Sequence, residues 1–492
     1  MRKAFVVFIL LVVVAVGGIS GAFVTINQAK DKVEFTEEVL YGTKEAAEDL
    51  IIQCQSQYGG QCYWNTTYQV GEEPKMKTEF AFCLSGIHGY GEIDYCGVEM
   101  YVMDSPFYVK SIQNSMEEMR GIEKAYKELY DTMEANDMKS KEIWLKDYIE
   151  YYPLEVGIRI PGYPVGSLSI VDGYEQIAAG EIPEPGTEAY VYWKLQDYFK
   201  IPVRENERVE ITVGTDEKGE PGFASSSSLS DDSYSGWCYS SITEEACYFT
   251  LDVCTSRGNV VDVSKIEGGY GIYCLPYTKK EVEKKNETTL STEVKVDELA
   301  MVYPLEPEQR IQHLGVSPEQ TKLILHTMEE TKYIISVIDI ATMTKVQQIE
   351  IPIEAELVDG ELMDGALVYD GDDFVAIALC DEQVAVLSVK DEVYQLDFVT
   401  EIYEREDGKI FGGDFYSNAI DYDGEKLACS YRHIMREGDW LETCGFDVAV
   451  YDKTGLLYYG EYQSSLSAGE PTKCGGYYCE PLHWDALTAK WK

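Results

Sequence analysis

The stretch ALVYDGDDFVAIA at residues 366–378 returns as AIDYDGEKLACSY at residues 419–431, so that Tyr-Asp-Gly occupies 369–371 and again 422–424. The copies lie 53 residues apart, and one period upstream the segment SPEQTKLIL at 317–325 has the same order of a turn followed by an apolar strand. An Asp-Gly turn flanked by apolar runs is typical of a β-hairpin. The sequence therefore predicts three copies of one strand–turn–strand unit.

A second predicted hairpin follows each copy. These hairpins span 334–349, 384–396 and 448–460, with turns at 341–342, 390–391 and 452–455. Four strands in each unit, repeated every 40 to 55 residues, is the sequence pattern of propeller blades. The repeats over 310–465 resemble the blades of diverse β-propellers, and this resemblance implies a ligand-binding face made by the loops between strands.

Three blades do not close a ring, and four is the usual minimum. Short predicted strands separated by turns over 154–280 would supply the others. The predicted fold class is therefore mainly β, with an N-terminal transmembrane helix and a helical stalk, then a β-propeller-like domain over 154–465 and a Cys-containing C-terminal segment over 466–492. The alternative is an α+β chain with two separate β domains, one of them at 154–280.

The amino terminus predicts a location. Residues 4–24 carry no charge and follow Arg2 and Lys3, and about 20 apolar residues span a bilayer core. Because basic residues stay on the cytoplasmic side, we expect a single-pass signal-anchor in the cell membrane, with residues 1–3 cytoplasmic and the bulk extracytoplasmic. The alternative is cleavage near Ala22 and secretion.

Residues 25–153 are expected to form a helical stalk with a Cys-rich insert. A first helix is predicted over 33–53 with Thr36 as its N-cap, and a second over about 111–148 from apolar residues at steps of three and four. The serine-rich segment 223–236 is predicted to be a loop, and 279–295 a charged linker.

Composition excludes one class of partner. With 41 basic and 87 acidic residues the net charge is −46, so the chain lacks the basic surface that nucleic-acid phosphates require. The 38 tyrosines suit stacking on sugars or contacts with proteins, although β-strands favour Tyr for packing reasons alone. We therefore expect a protein or carbohydrate ligand at the cell surface.

Thirteen cysteines in an exported chain favour disulfides, whose connectivity spacing does not reveal. Because the total is odd, at least one thiol stays reduced in a monomer, and we expect a buried one such as Cys380, which lies in an apolar run. The candidate disulfide cysteines are Cys54, Cys62, Cys83, Cys96, Cys238, Cys247, Cys254, Cys274, Cys474 and Cys479.

Metal sites are weaker interpretations of the same residues. Cys474, Cys479 and His483 have zinc-ligating side chains but need a fourth ligand, and a disulfide explains the two cysteines. The Asp-Gly segments 370–373 and 421–424 resemble fragments of calcium loops, but a turn explains both. We therefore predict no cofactor and no metal, and calcium is the alternative.

No catalytic motif such as His-Glu-x-x-His or Gly-x-Ser-x-Gly occurs. The order of the membrane segment, YIEYYPL at 148–154, FKIPVRENE at 199–207 and TDEKG at 215–219 is similar to uncharacterised membrane-anchored envelope proteins of Gram-positive gut anaerobes. This resemblance implies an envelope location and no activity. The predicted function is a membrane-anchored extracytoplasmic binding or interaction protein that is not an enzyme. The alternative is an extracellular glycan-active hydrolase with paired carboxylates.

Overall fold

A computed structural model provides the structure. It describes residues 2–29, 35–58, 62–70, 77–82, 97–102, 122–152, 154–164, 166–167, 177, 181–230, 234–255, 259–284, 287–329, 331–353, 366–379, 383–402, 419–437, 440–464 and 487–492. The chain divides into two compact units. Unit 1 comprises residues 1–92 and 366–492, and unit 2 comprises residues 93–365.

The described part of the chain is mainly β. Its α-helices are α1 (Arg2–Ala29), α2 (Ile122–Tyr130) and α3 (Glu188–Tyr198). The strands from the amino terminus to residue 304 are β1 (Phe35–Gly42), β2 (Leu50–Tyr58), β3 (Cys62–Gln69), β4 (Lys77–Phe82), β5 (Gly97–Val102), β6 (Met138–Trp144), β7 (Leu154–Arg159), β8 (Gly166–Ser167), β9 (Arg208–Thr215), β10 (Pro221–Ser228), β11 (Tyr234–Ile242), β12 (Ala246–Thr255), β13 (Gly271–Lys284), β14 (Glu287–Val294) and β15 (Ala300–Pro304). The remaining strands are β16 (Arg310–Val316), β17 (Lys322–Glu329), β18 (Lys332–Asp339), β19 (Thr344–Pro352), β20 (Leu367–Asp370), β21 (Phe374–Leu379), β22 (Gln383–Lys390), β23 (Val393–Glu401), β24 (Ala419–Tyr422), β25 (Leu427–Glu437), β26 (Trp440–Asp452), β27 (Gly455–Ser464) and β28 (Leu487–Trp491).

The predicted repeats form antiparallel sheets of four sequential strands, as in propeller blades. The orders are β16-β17-β18-β19 in unit 2, and β20-β21-β22-β23 and β24-β25-β26-β27 in unit 1. The Asp-Gly turns join the first two strands of the latter two sheets, with Gly371 N–H donating to Phe374 O at 2.9 Å and Asp423 N–H donating to Lys426 O at 3.2 Å. Of the two turn glycines, Gly371 and Gly424, only Gly424 has a positive φ, of 96°. The strand–turn–strand prediction is therefore confirmed.

In unit 1 the two ends of the chain meet in sheets. Strand β28 pairs with β2 in the order β28-β2-β3-β4, and β1 pairs with β27 as the fifth strand of the third repeat. One apolar core packs Leu50 and Ile52 with Phe446 and Tyr462. A C-terminal strand therefore completes a sheet whose other strands come from the first hundred residues.

The described residues of unit 2 form four sheets over one apolar core. Their orders are β5-β7-β8, β10-β9-β6, β11-β12-β13-β14 with β15 also on β13, and β16-β17-β18-β19. Every residue of β12 is buried. Its sequence is therefore mostly apolar, and its polar residues are Thr250, Asp252 and Thr255. Those polar residues prove important for the site.

The predicted helical stalk over 25–153 is wrong. Residues 33–53, expected to be a helix capped by Thr36, form β1 and β2 with a short 3₁₀ turn at Lys44–Ala47 between them. Pairing of Thr36 with Gln463 of β27 outweighs the weak local helix signal, as tertiary contacts commonly do. Of the second predicted helix only α2 is helical, while Met138–Trp144 is a strand and 103–121 lie outside the described residues.

Two predicted connections are also strands. Residues of the serine-rich segment 223–236 belong to β10 and β11, and the charged segment 279–295 is the hairpin β13–β14. The serines of β10 pair with β9, whose Val209, Ile211 and Val213 supply the buried face. The serines at 225–228 alternate between the two faces of β10, and they form a strand because β9 pairs with them.

The segment predicted to anchor the chain lies in α1. The structure describes the side chains of residues 5–21 and of Val24, and the large apolar side chains among them are exposed. Across the described residues, no helix has both the length and the apolar character needed to cross a membrane. The membrane anchor therefore stays a prediction.

Candidate ligand-binding site

Strand β5 of unit 2 lies directly against β11 because alternate residues of β11 are small. Gly236, Cys238 and Ser240 share one face of this strand. The Val98 N–H donates to Ser240 Oγ at 3.0 Å, and Cys238 Sγ donates to the Val98 carbonyl at 3.1 Å. Both backbone polar groups of Val98 are thereby held by side chains of β11.

Two glycines allow this close approach. Gly97 has a φ of 96°, and a Cβ there would overlap Ser240 Oγ and lie 2.6 Å from Cys247 Sγ. A Cβ on Gly236 would lie 2.5 Å from Val102 Cγ2. Side chains at either position would push the strands apart, so glycine fixes where the end of β5 meets the start of β11.

An exposed aromatic pair stands at this meeting point. The rings of Tyr101 on β5 and Trp237 on β11 have centroids 6.4 Å apart and planes at 80°. Tyr101 is 45% exposed and Trp237 is 54% exposed. An edge-to-face pair of this kind is itself favourable, and it presents aromatic surface to solvent on two rigid strands.

A buried ion pair lies next to Trp237. Asp252 on β12 is the register partner of Trp237, so both side chains leave the sheet on the same face. The Asp252 carboxylate is 2% exposed, and its Oδ2 accepts hydrogen bonds from Arg310 Nε and Nη2, both at 3.1 Å. Its Oδ1 accepts from the Ile311 N–H at 3.3 Å. Arg310, at the start of β16, is thus fixed in orientation.

Electrostatics keep Arg310 charged. Burial alone disfavours the guanidinium cation, but the Asp252 carboxylate beside it raises the pKa of Arg310 above its usual value. The side chain is 20% exposed, so it is not completely enclosed by the protein. The geometry therefore presents a fixed positive group beside the aromatic pair.

The face of β12 that carries Asp252 also carries a second buried polar side chain. Thr250 lies two residues before Asp252 on β12 and shares its face, and its buried Oγ1 has no hydrogen-bond partner within the part of the chain that the structure describes. Burial, and next the nearby Asp252, raise the pKa of Tyr270. We call the group of Tyr101, Trp237, Thr250, Asp252 and Arg310 the Trp237 site.

Two other carboxylates, the buried Glu207 and the partly buried Glu37, are engaged in holding strands together. Glu207 accepts from Arg204 Nε at 2.9 Å, Tyr152 at 3.0 Å and Ser228 at 3.2 Å. In unit 1, Glu37 of β1 accepts hydrogen bonds from four side chains at 2.6 to 3.2 Å; these are Lys44, Tyr68, Tyr458 and Tyr462. Such saturated carboxylates stabilise the fold and have no open position for a substrate.

A second exposed tryptophan differs in one respect. Trp144 at the end of β6 is 49% exposed, but the Arg208 guanidinium lies over its ring at 5.7 Å. A cation already occupies one face of that ring. No cation–π contact is present at the Trp237 ring within the described residues, which makes Trp237 the better platform for a ligand.

The cysteines predicted to form disulfides are placed as follows. Cys238, Cys247, Cys254 and Cys274 are thiols in the structure, so the structure does not support the predicted bonds among these four. Cys238 pairs with Leu251, four residues from Cys247, and Cys274 pairs with Tyr248, six residues from Cys254. At about 3.3 Å per residue these offsets exceed the Cα separation that a disulfide spans.

For the remaining candidate cysteines, strand register separates Cys54 from Cys62, and the others lie outside the described residues. Cys54 and Cys62 lie in paired strands, where Cys54 is opposite Thr66 and Cys62 is opposite Tyr58, and the same offset argument separates them. Their side chains lie outside the described residues, as do Cys83, Cys96, Cys380, Cys474 and Cys479.

The candidate metal ligands lie partly outside the described residues. Cys474, Cys479 and His483 lie outside the described residues. Asp423 Oδ1 accepts the N–H groups of Glu425 at 2.8 Å and Lys426 at 2.6 Å, so it serves a turn. Within the described ranges, no group of three His, Cys, Asp or Glu side chains could hold a metal ion.

Sequence reasoning missed the Trp237 site entirely. The available signal was GWCYS at 236–240, where small residues alternate with Trp237 and Tyr239. That alternation predicts a strand with one tightly packed face and one aromatic face. Arg310 and Asp252 lie 58 residues apart, and no spacing rule joins them.

Comparison with known proteins adds little beyond the fold. No family model and no curated protein matches the chain. Similar solved structures include the β-propeller domain of Cps50 (Swd1) from Myceliophteria thermophila, with 9% identity, 52% of this chain and 82% of that chain covered, and a TM-score of 0.20. TolB from Acinetobacter baumannii has 9% identity, with 85% of this chain and 80% of that chain covered and a TM-score of 0.20. A protein from Lactobacillus plantarum has 9% identity, with 84% of this chain and 81% of that chain covered and a TM-score of 0.23. These TM-scores are too low to support an argument. The description of the sheets as propeller-like rests on their own strand order.

Proposed function

We propose that this chain is a membrane-anchored, extracytoplasmic binding protein whose ligand is a saccharide held at the Trp237 site. The observation that carries the proposal is the exposed Tyr101–Trp237 pair, fixed on two strands beside a charged arginine. Sugar rings present apolar C–H faces that pack on aromatic rings, while their hydroxyls need hydrogen-bonding groups nearby.

Rigidity supports binding at this position. Tyr101 is placed by the glycine contacts of β5, and Arg310 by two bonds to a buried carboxylate. A site whose side chains are already ordered loses less conformational entropy when the ligand binds. The small area of the aromatic pair suits a sugar better than the broad surface of a stable protein complex.

A binding role also fits the chemistry of the acidic residues. Glycoside hydrolysis needs two carboxyl groups with open positions on either side of the scissile bond. At the Trp237 site, the Asp252 carboxylate is buried and bonded to Arg310 and Ile311 N–H. No observation on the described residues favours the hydrolase alternative.

The proposed location rests on the sequence. The uncharged residues 4–24 after Arg2 and Lys3 suit an anchor with a short cytoplasmic end. The net charge of −46 keeps the exposed bulk away from anionic lipid surfaces. The binding unit would then face outward from the membrane.

The test uses the full-length chain, purified in detergent, on an array of neutral and acidic glycans. Trp237→Ala is expected to abolish binding, because it removes the stacking surface. Trp144→Ala removes an equally exposed tryptophan elsewhere and is expected to leave binding unchanged. Absence of any glycan binding by the wild-type chain, or equal loss in both variants, would contradict the proposal.

A further inference from the structure

The guanidinium of Arg310 has unused donors. Its two hydrogen bonds to Asp252 come from Nε and Nη2 and converge on one oxygen, Oδ2. Within the ranges that the structure describes, Nη1 donates no hydrogen bond, and the side chain is 20% exposed. The planar fork of arginine matches a carboxylate, which can accept two parallel N–H groups.

The position of these donors is set by the protein and not by a ligand. Asp252 holds one edge of the guanidinium, and Trp237 is the register partner of Asp252. Because Arg310 bonds Asp252, we place an anionic group that binds Nη1 on the face of the sheet that carries Asp252 and Trp237. The buried Thr250 hydroxyl on the same face adds a further polar atom without a partner among the described residues.

Charge makes this arginine unusual in its setting. The chain carries more than twice as many acidic as basic residues, and its overall field repels anions. Many exposed lysines of the described chain sit within 4 Å of a carboxylate, as Lys280 does with Glu293 at 2.7 Å. Arg310 is likewise paired, with Asp252 at 3.1 Å, but its Nη1 donates no hydrogen bond within the described residues, and the surrounding field limits its ligand to few charges.

We infer that the saccharide bound at the Trp237 site carries a carboxylate, as a uronic acid does, with its ring packed on Trp237 and its carboxylate on the open edge of Arg310. This inference rests on the proposed function and specifies its ligand. The single carboxylate supplies the charge-assisted bonds, and the ring supplies the stacking area. Polyanionic glycans are disfavoured by the net charge of the chain.

Matched ligands test the inference. The methyl glycosides of glucuronic acid and glucose, and of galacturonic acid and galactose, differ only in a carboxylate against a hydroxymethyl group. Calorimetric titration of the full-length chain in detergent is expected to show that one uronide of the two binds at least about tenfold more tightly than its neutral partner, about 1.4 kcal/mol. Trp144→Ala, as the control, keeps both affinities.

Two variants separate the parts of the site. Arg310→Gln alone leaves the buried Asp252 carboxylate unpaired and risks misfolding, so the informative variant is the double change Asp252→Asn with Arg310→Gln. It replaces the ion pair by a neutral amide pair and is expected to equalise the uronide and its neutral partner. Trp237→Ala is expected to lose both ligands.

The outcomes distinguish the inference from the proposed function. If uronide and neutral glycoside bind equally to wild type and both are lost in Trp237→Ala, the carboxylate inference is overturned while the saccharide site stands. If the double variant still prefers the uronide, Arg310 is not its partner. If none of the four glycosides binds, both the inference and the proposed function fail.

Discussion

A methyl group added at Gly97 is expected to separate β5 from β11 and to destabilise unit 2. Gly97 has a φ of 96°, and an added Cβ would overlap Ser240 Oγ and lie 2.6 Å from Cys247 Sγ. The Ser240 hydroxyl is not free to rotate away, because it accepts the Val98 N–H at 3.0 Å. Gly97→Ala thus combines backbone strain with a steric clash.

The two costs can be separated with a matched glycine of the same unit. Gly186 has a φ of 87° and nothing within 4 Å of its added Cβ, so Gly186→Ala carries the strain alone, about 1–2 kcal/mol. Overpacking at Gly97 adds about 1–3 kcal/mol. We therefore expect Gly97→Ala to lower the free energy of unfolding by about 2 kcal/mol more than Gly186→Ala does.

Thermal and urea denaturation followed by circular dichroism measure the difference. About 2 kcal/mol corresponds to a further fall in Tm of roughly 4–8 °C for a unit of this size. Because β5 carries Tyr101, Gly97→Ala is also expected to weaken glycan binding, whereas Gly186→Ala leaves it unchanged. Two variants with equal stability to within about 0.5 kcal/mol would refute the close-packing argument.

Three further outcomes are expected. Thr250→Val should be neutral or stabilise by up to about 1 kcal/mol in urea denaturation, since it removes a buried hydroxyl without a partner among the described residues; a loss of about 1 kcal/mol would mean that the hydroxyl is satisfied. Burial raises the pKa of Tyr68 and of Tyr277 to about 12, so their contribution to stability is complete below about pH 10, the pKa of an unfolded tyrosine, and is lost as the pH rises through 12. Phenolate absorbance and Tm against pH measure this, and titration of every tyrosine near pH 10 would contradict it. Deletion of residues 2–29 should move the chain from the membrane fraction to the soluble fraction of lysed cells, and an unchanged distribution would exclude α1 as the anchor.

The repeat over 310–465 was predictable because each hairpin is a local structure. In the 391–392 turn, two consecutive residues have positive φ values of 51° and 59°, which matches the twist of the flanking strands. Strand pairing then follows from alternation and turn position within about 20 residues. The antiparallel four-stranded sheets therefore emerged from sequence alone.

Residues 33–53 form strands and not the predicted helix for the converse reason. Residues 33–53 have charged and apolar residues that suit a helix or a strand, and the decision comes from β27, more than 400 residues away. Glu37 is held there by Tyr458 and Tyr462, at 3.2 and 3.1 Å. Local propensity is a few tenths of a kcal/mol per residue, which such contacts readily exceed.

The sequence by itself determined the mainly β class, the hairpin repeats and the net charge of −46, because these depend on residues close along the chain or on composition. The tertiary structure alone decided that β28 pairs with β2 and that Arg310 meets Asp252 beside Trp237. Pairing between distant strands is selected by burial and register over the whole unit. The Trp237 site is assembled from four such strands and is therefore not visible until the sheets are packed.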